Sequence, residues 1–469
     1  MKHCKLLFSL FLIAQISFAQ SVTERLQSAI DKWKSDADLK HASISLYVVN
    51  SKTNEVVFDY NSQLGLVPAS CQKIITSVTA YELLGKDFQF KTDLGYTGSI
   101  RKGVLQGDLI VRGSGDPTLG SWRYPTTKDT AVMSAWTKAI KDFGIKKIEG
   151  DVLLDGSRFS LQPIPGGWSW EDMGNYYGAG CWGLNWYENQ YALTLKPGLK
   201  EGDRTVVVKT VPELQLYGLI NNVKTGKPHS DADVNIYLPP HSSIGVVEGT
   251  IPAGDSSTIA SGSTPNPYHQ LGKVLEKSFD TAQIKYRQTS NSLEYIANKK
   301  VIPSTDSVFY TYLSPTLDSI TYWFLHKSVN LYGESLLKEM AYAKMGMGST
   351  EAGIGIVKKF WEEKGIERSA LRIKDGSGLS TTNRITTNAL VNVLQYAYSQ
   401  TWFSSFYNAL PLYNGMKLKS GTISGIKSFA GYHTSKDGVD YTITFIVNDF
   451  SGYSSEMTKK MFRVLDELK

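Results

Sequence analysis

Apolar residues recur every three to four positions in some stretches of the chain and every second position in others, which separates helices from strands. Leu26, Ile30 and Trp33 share one side of a helix predicted over residues 22–36. Residues 42–50 alternate as a strand, Asn50-Ser-Lys-Thr-Asn54 carries a turn, and 55–60 return as a second strand. Helical spacing over 74–84 stops at Gly85. From about residue 95 the texture changes to a small α/β unit, with a helix over 131–143 and a strand over 147–154. Residues 190–262 are short apolar runs broken by Gly, Pro and Asp, the pattern of an all-β segment. A helix over 268–282 follows, then long helices over 317–344, 353–364 and 387–399. The chain closes with strands over 416–419, 428–434 and 441–448 and a helix from Ser454.

This order predicts a mixed α/β chain in which one domain, 20–94 plus 305–469, is interrupted by an α/β insertion, 95–189 plus 263–304. The insertion itself carries a nested β-rich domain over 190–262. Residues 1–19 read as a signal peptide: Lys2 and Lys5, a short apolar run over 6–18, then small residues ending at Ala19. An uncleaved anchor is the other reading of that segment. Cys4 precedes the apolar run, so it is not a lipid-attachment cysteine.

Composition narrows the function. Of 469 residues, 41% are hydrophobic and 20% charged, enough apolar surface for a large core. The net charge of +6 comes with no run of Lys or Arg, which argues against a nucleic-acid partner. Aromatics reach 12%, which suits a carbohydrate-linked polymer as much as it suits core packing. Cys71 and Cys181 are too few for a disulfide scaffold; one bridge or two buried thiols both fit. No Cys/His cluster has metal-site spacing, and neither metal nor cofactor is expected.

The chemistry lies in three separated segments. Ser70-Cys-Gln-Lys73 sets a hydroxyl and an amine one helical turn apart. Lysine takes a serine proton once burial or nearby positive charge disfavours its own charge. At a helix start, Ser70 also meets free backbone N–H groups that stabilise developing negative charge. Ser328-Val-Asn330 offers a relay hydroxyl and an amide that both donates and accepts. Lys419-Ser-Gly-Thr422 lies where a strand is expected, with a cation for a carboxylate and a glycine that admits a ligand backbone.

Together these resemble the signature of the serine penicillin-recognising enzymes. The similarity is greatest to the class C low-molecular-mass penicillin-binding proteins, which are D-alanyl-D-alanine carboxypeptidase/endopeptidases. Gly107-Asp-Leu-Ile-Val, Gly115-Asp-Pro-Thr-Leu119 and Asp375-Gly-Ser-Gly-Leu-Ser380 with Asn383 support it, as does the large insertion. The resemblance implies a penicillin-binding/β-lactamase-like catalytic domain, with helices on an antiparallel sheet. It implies Ser70 as nucleophile, Lys73 as base, and Ser328 and Asn330 in the proton network. Lys419 and Ser420 would face the substrate carboxylate, and the Ser70 and Thr422 N–H groups, beside Gly421, would form the oxyanion hole. Asp155 would lie near the site and contact a substrate amine; as a plain turn residue it needs no such role. Asp375-Gly-Ser-Gly is expected to be a structural turn beneath the site, and Glu334 to serve helix packing.

The implied substrates are peptidoglycan stem peptides, with β-lactams as covalent inhibitors, in the periplasm or cell envelope of an exporting cell. A peripheral attachment to the envelope and a homodimer stay open. A β-lactamase or esterase on the same fold, and a non-catalytic envelope-binding protein, are the competing readings. Lys419-Ser-Gly departs from the usual Lys-Thr-Gly, and Thr381 stands where some relatives carry Arg, which bears on stem-peptide preference.

Overall fold

The computed structural model describes residues 20–469 except 34, 215, 217 and 255. The expected signal peptide, its cleavage point and Cys4 lie outside the described residues.

Long alternating strands at the two ends of the chain meet in one six-stranded antiparallel sheet. Its order is Val56–Tyr60, Ser43–Asn50, Asp440–Asn448, Ile426–Thr434, Met416–Ile423 and the short Leu412–Tyr413. The first and last parts of the sequence are thereby joined in one body. One face is covered by the helices Val22–Trp33 and Ser454–Leu465, whose Leu26, Ile30, Trp33 and Met461 pack on Val48 and Phe445. The other face carries the helices Lys73–Leu84, Asn330–Met345 and Thr387–Tyr398 around Ile74, Val78, Leu336, Leu390 and Ala430. Burial of both sheet faces explains why Asp440–Asn448 is nearly continuous in apolar and small residues.

A second, five-stranded sheet runs Thr289–Asn291, Val152–Asp155, Leu109–Gly113, Lys91–Tyr96 and Ser307–Leu313. The helices Asp129–Asp142 and Pro267–Ala282 bury Val132, Trp136, Leu271 and Phe279 against it. Lys91–Tyr96 and Ser307–Leu313 pair with each other, so a division at residue 94 cuts through the first of them. Within 190–262, a three-stranded and a four-stranded sheet enclose a small core of Tyr191, Leu193, Leu195, Ile236 and Val247.

One expected element is not continuous. The helix predicted over 317–344 is two helices, Leu317–His326 and Asn330–Met345. Between them Ser328 takes a left-handed backbone, φ 55°. That conformation is unfavourable for a side-chain-bearing residue, and it breaks the backbone ladder just before Asn330.

Candidate active site

Pro68 leads into a tight 3-10 turn, Ala69–Gln72, that runs into the helix Lys73–Leu84. Ala69 is forced to φ 45°. Its carbonyl lies against Gly378, where a Cβ would come within 2.0 Å. Ser70 is half-buried at this turn and Lys73 is fully buried below it.

Lys73 Nζ has three oxygen partners: Ser70 Oγ at 3.0 Å, Asn330 Oδ1 at 2.7 Å and the Ser377 carbonyl at 2.6 Å. Burial, then the positive charge of Lys419, holds its pKa well below the usual lysine value. Asp375 and Glu334 act in the opposite direction. The neutral amine has two N–H groups and one lone pair. Asn330 and Ser377 present only acceptors, so they take the two hydrogens and the lone pair is left facing Ser70. That is the geometry of a base for the serine proton.

The supports are largely backbone groups and buried acids. Asp375 Oδ1 accepts from Gln72 Nε2, Gly378 N and Asn383 Nδ2, and its Oδ2 accepts from Trp168 Nε1 and Ser380 N. Glu334 accepts from Gly376 N through both oxygens, at 3.0 and 2.9 Å. Burial and the neighbouring Asp375 push its carboxyl up to about 8. These bonds fix the 375–378 turn that delivers the Ser377 carbonyl to Lys73. Glu334 and the Asp375 string are thus scaffold groups, as their sequence context suggested.

The strand Met416–Ile423 brings the third segment alongside. Lys419 is 2% exposed, its Nζ donates to the Ser420 carbonyl at 2.6 Å, and burial lowers its pKa to about 8. The Cys71 thiol donates to the Lys419 carbonyl at 3.2 Å. Ser428 Oγ donates to the Pro68 carbonyl at 2.6 Å and lies 3.2 Å from the same thiol. Ser420 Oγ donates to Tyr413 at 3.2 Å, and the exposed Thr422 accepts from Lys427 at 2.7 Å. Ser70, Lys73, Asn330 and the 419–421 strand are therefore brought together. Ser328 stands half-buried in the turn before Asn330, and its hydroxyl makes no hydrogen bond among the described residues.

Asp155 is a correction. It is fully buried, paired through Oδ2 with Arg112 Nε at 2.6 Å, and its Oδ1 accepts from Ser157 N at 2.9 Å. The parallel register that sets Arg112 opposite Asp155 makes it a structural residue of the five-stranded sheet, with no free oxygen surface for a substrate amine.

Residues 168 and 177 reach the site instead. Asn330 Nδ2 donates to the Tyr177 carbonyl at 2.7 Å, and Trp168 reaches Asp375. Neither contact was anticipated from the sequence. Tyr177 and Ser377 act through carbonyls, which leave no side-chain signature. The Gly166-Gly167-Trp168 string was the available signal: a Cβ on Gly167 would lie 2.6 Å from Ser380 Oγ, so glycine is needed for this close approach.

A helix-covered antiparallel sheet with a serine–lysine pair at the head of a buried helix defines the class of penicillin-binding serine enzymes. The family model of the D-Ala-D-Ala carboxypeptidase 3 (S13) family matches residues 26–468, and the chain belongs to that family, among the class C low-molecular-mass penicillin-binding proteins. A D-alanyl-D-alanine carboxypeptidase of Actinomadura sp. (strain R39) is 25% identical over 456 residues, covering 91% of this chain and 81% of the relative. D-alanyl-D-alanine carboxypeptidase DacB of Haemophilus influenzae is 24% identical over 433 residues, covering 87% of this chain and 86% of the relative. The crystal structure of penicillin binding protein 4 from Haemophilus influenzae shares the fold, with TM-score 0.80, 21% identity and coverage of 94% of this chain and 99% of that one. The same protein complexed with a β-lactam superposes with TM-score 0.74 at 20% identity, covering 95% and 99%. Among the described residues no helix is long and apolar enough to cross a membrane.

Proposed function

We propose that the chain is an exported D-alanyl-D-alanine carboxypeptidase and endopeptidase that cleaves peptidoglycan stem peptides through an acyl-enzyme on Ser70. The carboxypeptidase activity follows from the family. The residue roles, the endopeptidase activity, the periplasmic or envelope location and the division into a split catalytic domain with a nested insertion are our reading.

Ser70 Oγ attacks the carbonyl carbon of the penultimate D-alanine as its proton passes to Lys73 Nζ. The resulting oxyanion is held by the N–H groups of Ser70 and Thr422, which stabilise charge that exists only in the transition state. The carbon–nitrogen bond then breaks, and the proton leaves with the amine of the terminal residue. A water molecule hydrolyses the ester and restores Ser70 and Lys73. Ser328 relays protons, Asn330 holds Lys73 and the peptide, and Lys419 with Ser420 binds the terminal carboxylate. β-Lactams enter the same path and stop at the acyl-enzyme.

The observation that carries this reading is the lone-pair argument at Lys73: two acceptors consume its hydrogens and the third direction points to Ser70. Intact-mass measurement after incubation with a fluorescent penicillin tests it. One adduct is expected on the native enzyme, with release of D-alanine from a stem pentapeptide, and neither on Ser70→Ala. An adduct that persists on Ser70→Ala would remove Ser70 as the nucleophile.

A further inference from the structure

The 12% aromatic content is not spent on the core alone. Trp122 and Tyr322 are large rings that remain 43% exposed each. They belong to one continuous run of ring contacts. The Arg123 guanidinium lies between Trp122, at 5.4 Å, and Trp323, at 5.3 Å. Trp323 meets Tyr322 edge to face at 5.4 Å, and Tyr322 stacks on His326 at 4.1 Å. The stack crosses from the insertion to the helix Leu317–His326 and ends two residues before Ser328.

It is rigidly held. Glu188 is fully buried and accepts from Arg123 Nε at 2.7 Å and Nη2 at 3.1 Å, as well as from Ser121 and Tyr332. The charge of Arg123 is thereby neutralised from behind, so its outward role is to space the rings, not to bind an anion. Beside the exposed Tyr322 lies a cavity of about 360 Å³, lined also by Trp323, Asp318, Ser405 and Asn408. That volume is within the range of small-molecule sites, roughly 300–1,000 Å³. The side chains of Ser405 and Asn408 make no hydrogen bond among the described residues, and Asp318 uses one oxygen for Tyr81.

We propose that this cavity and its aromatic stack form a saccharide subsite for the glycan part of the wall polymer. Flat ring faces match the C–H face of a pyranose, while an amide, a hydroxyl and a carboxylate beside them match ring hydroxyls and an N-acetyl group. Holding the rings in place beforehand reduces the ordering cost of binding. The site rests on the reading of peptidoglycan as substrate, and it adds the sugar to the stem peptide as a recognised element.

The test is equilibrium binding of peptide-free glycan strands of alternating N-acetylglucosamine and N-acetylmuramic acid, with penicillin labelling followed on the same samples. The native enzyme is expected to bind the strands. Tyr322→Ala and Asn408→Ala are each expected to weaken binding about tenfold, Tyr322→Trp to restore it, and all to take penicillin at the native rate. Native enzyme that does not bind strands, or variants that bind like native, would overturn the proposal. A native enzyme that binds strands without taking penicillin would uphold the saccharide site and remove the acyl-enzyme reading.

Discussion

Gly421 approaches Ser70 so closely that a Cβ at residue 421 would lie 2.9 Å from the Ser70 amide nitrogen, 2.7 Å from the Pro68 carbonyl and 2.3 Å from Ser428 Oγ. None of these neighbours is the tip of a long flexible side chain. The strand Met416–Ile423 and the nucleophile turn are therefore set at a spacing that only glycine allows, and the proposed oxyanion donors sit on the two sides of that contact.

Gly421→Ala must push the strand and the turn apart. Loss of one oxyanion donor costs about 2.7–4 kcal/mol of barrier, or roughly 10²–10³ in rate. The second-order rate of penicillin acylation is expected to fall by about that factor while the protein remains folded by circular dichroism. Acylation at the native rate would show that the contact does not position the donors.

The pH dependence of acylation should be bell-shaped, and its two limbs have different owners. Lys73 acts as a base only when neutral, so the rate falls as pH drops through its lowered folded-state value. Lys419 binds a carboxylate only when charged, and its pKa is lowered to about 8, so the rate falls again as pH rises past that point. Arginine keeps its charge at any pH used in such assays. Lys419→Arg is expected to move the alkaline limb upward by more than one pH unit, whatever it does to the maximal rate. An alkaline limb that stays near pH 8 in this variant would assign it to another group.

Asp155 provides the contrast between stability and chemistry. Asp155→Ala leaves Arg112 without its partner and opens a buried position, at a cost of about 3 kcal/mol in unfolding free energy. Denaturant unfolding should show that loss. Acylation by penicillin, measured per folded molecule, should stay within about twofold of native because the carboxylate is fully buried and faces no ligand. A tenfold slower acylation with unchanged stability would return Asp155 to the site.

Which features were legible follows from how far each depends on local pattern. Ser70 and Lys73 share a face because they are three residues apart at a helix start, and that spacing is visible in any sequence. The outer strands and helices follow from periodicity, as with Leu26, Ile30 and Trp33. The break at Ser328 was hidden because apolar spacing is helical on both sides and neither Gly nor Pro marks it. Its left-handed backbone is one that local pattern does not encode, and such departures from local rules are common at functional sites. Asp155 was misread for a related reason. Its role is set by a parallel pairing with Arg112, across strands that local pattern cannot put in register.

The two cysteines beside and behind the site give a further test. Among the described residues Cys71 and Cys181 are both free and both 0% exposed. Burial raises both thiol pKa values, that of Cys181 to about 11, so the reactive thiolate is scarce at neutral pH. Cys71 is also committed to the Lys419 carbonyl, and Cys181 lies 3.3 Å from Ser335 Oγ in the core behind the helix Asn330–Met345. A water-soluble aromatic disulfide reagent should therefore modify neither thiol in folded protein spanning residues 20–469 over minutes. Both should react promptly in guanidinium without prior reduction, because no bridge joins them. Rapid modification of Cys71 in the native enzyme, with loss of penicillin acylation, would mean that the strand carrying Lys419 opens readily from the nucleophile turn. Acylation would then depend on that opening and not on a site held closed.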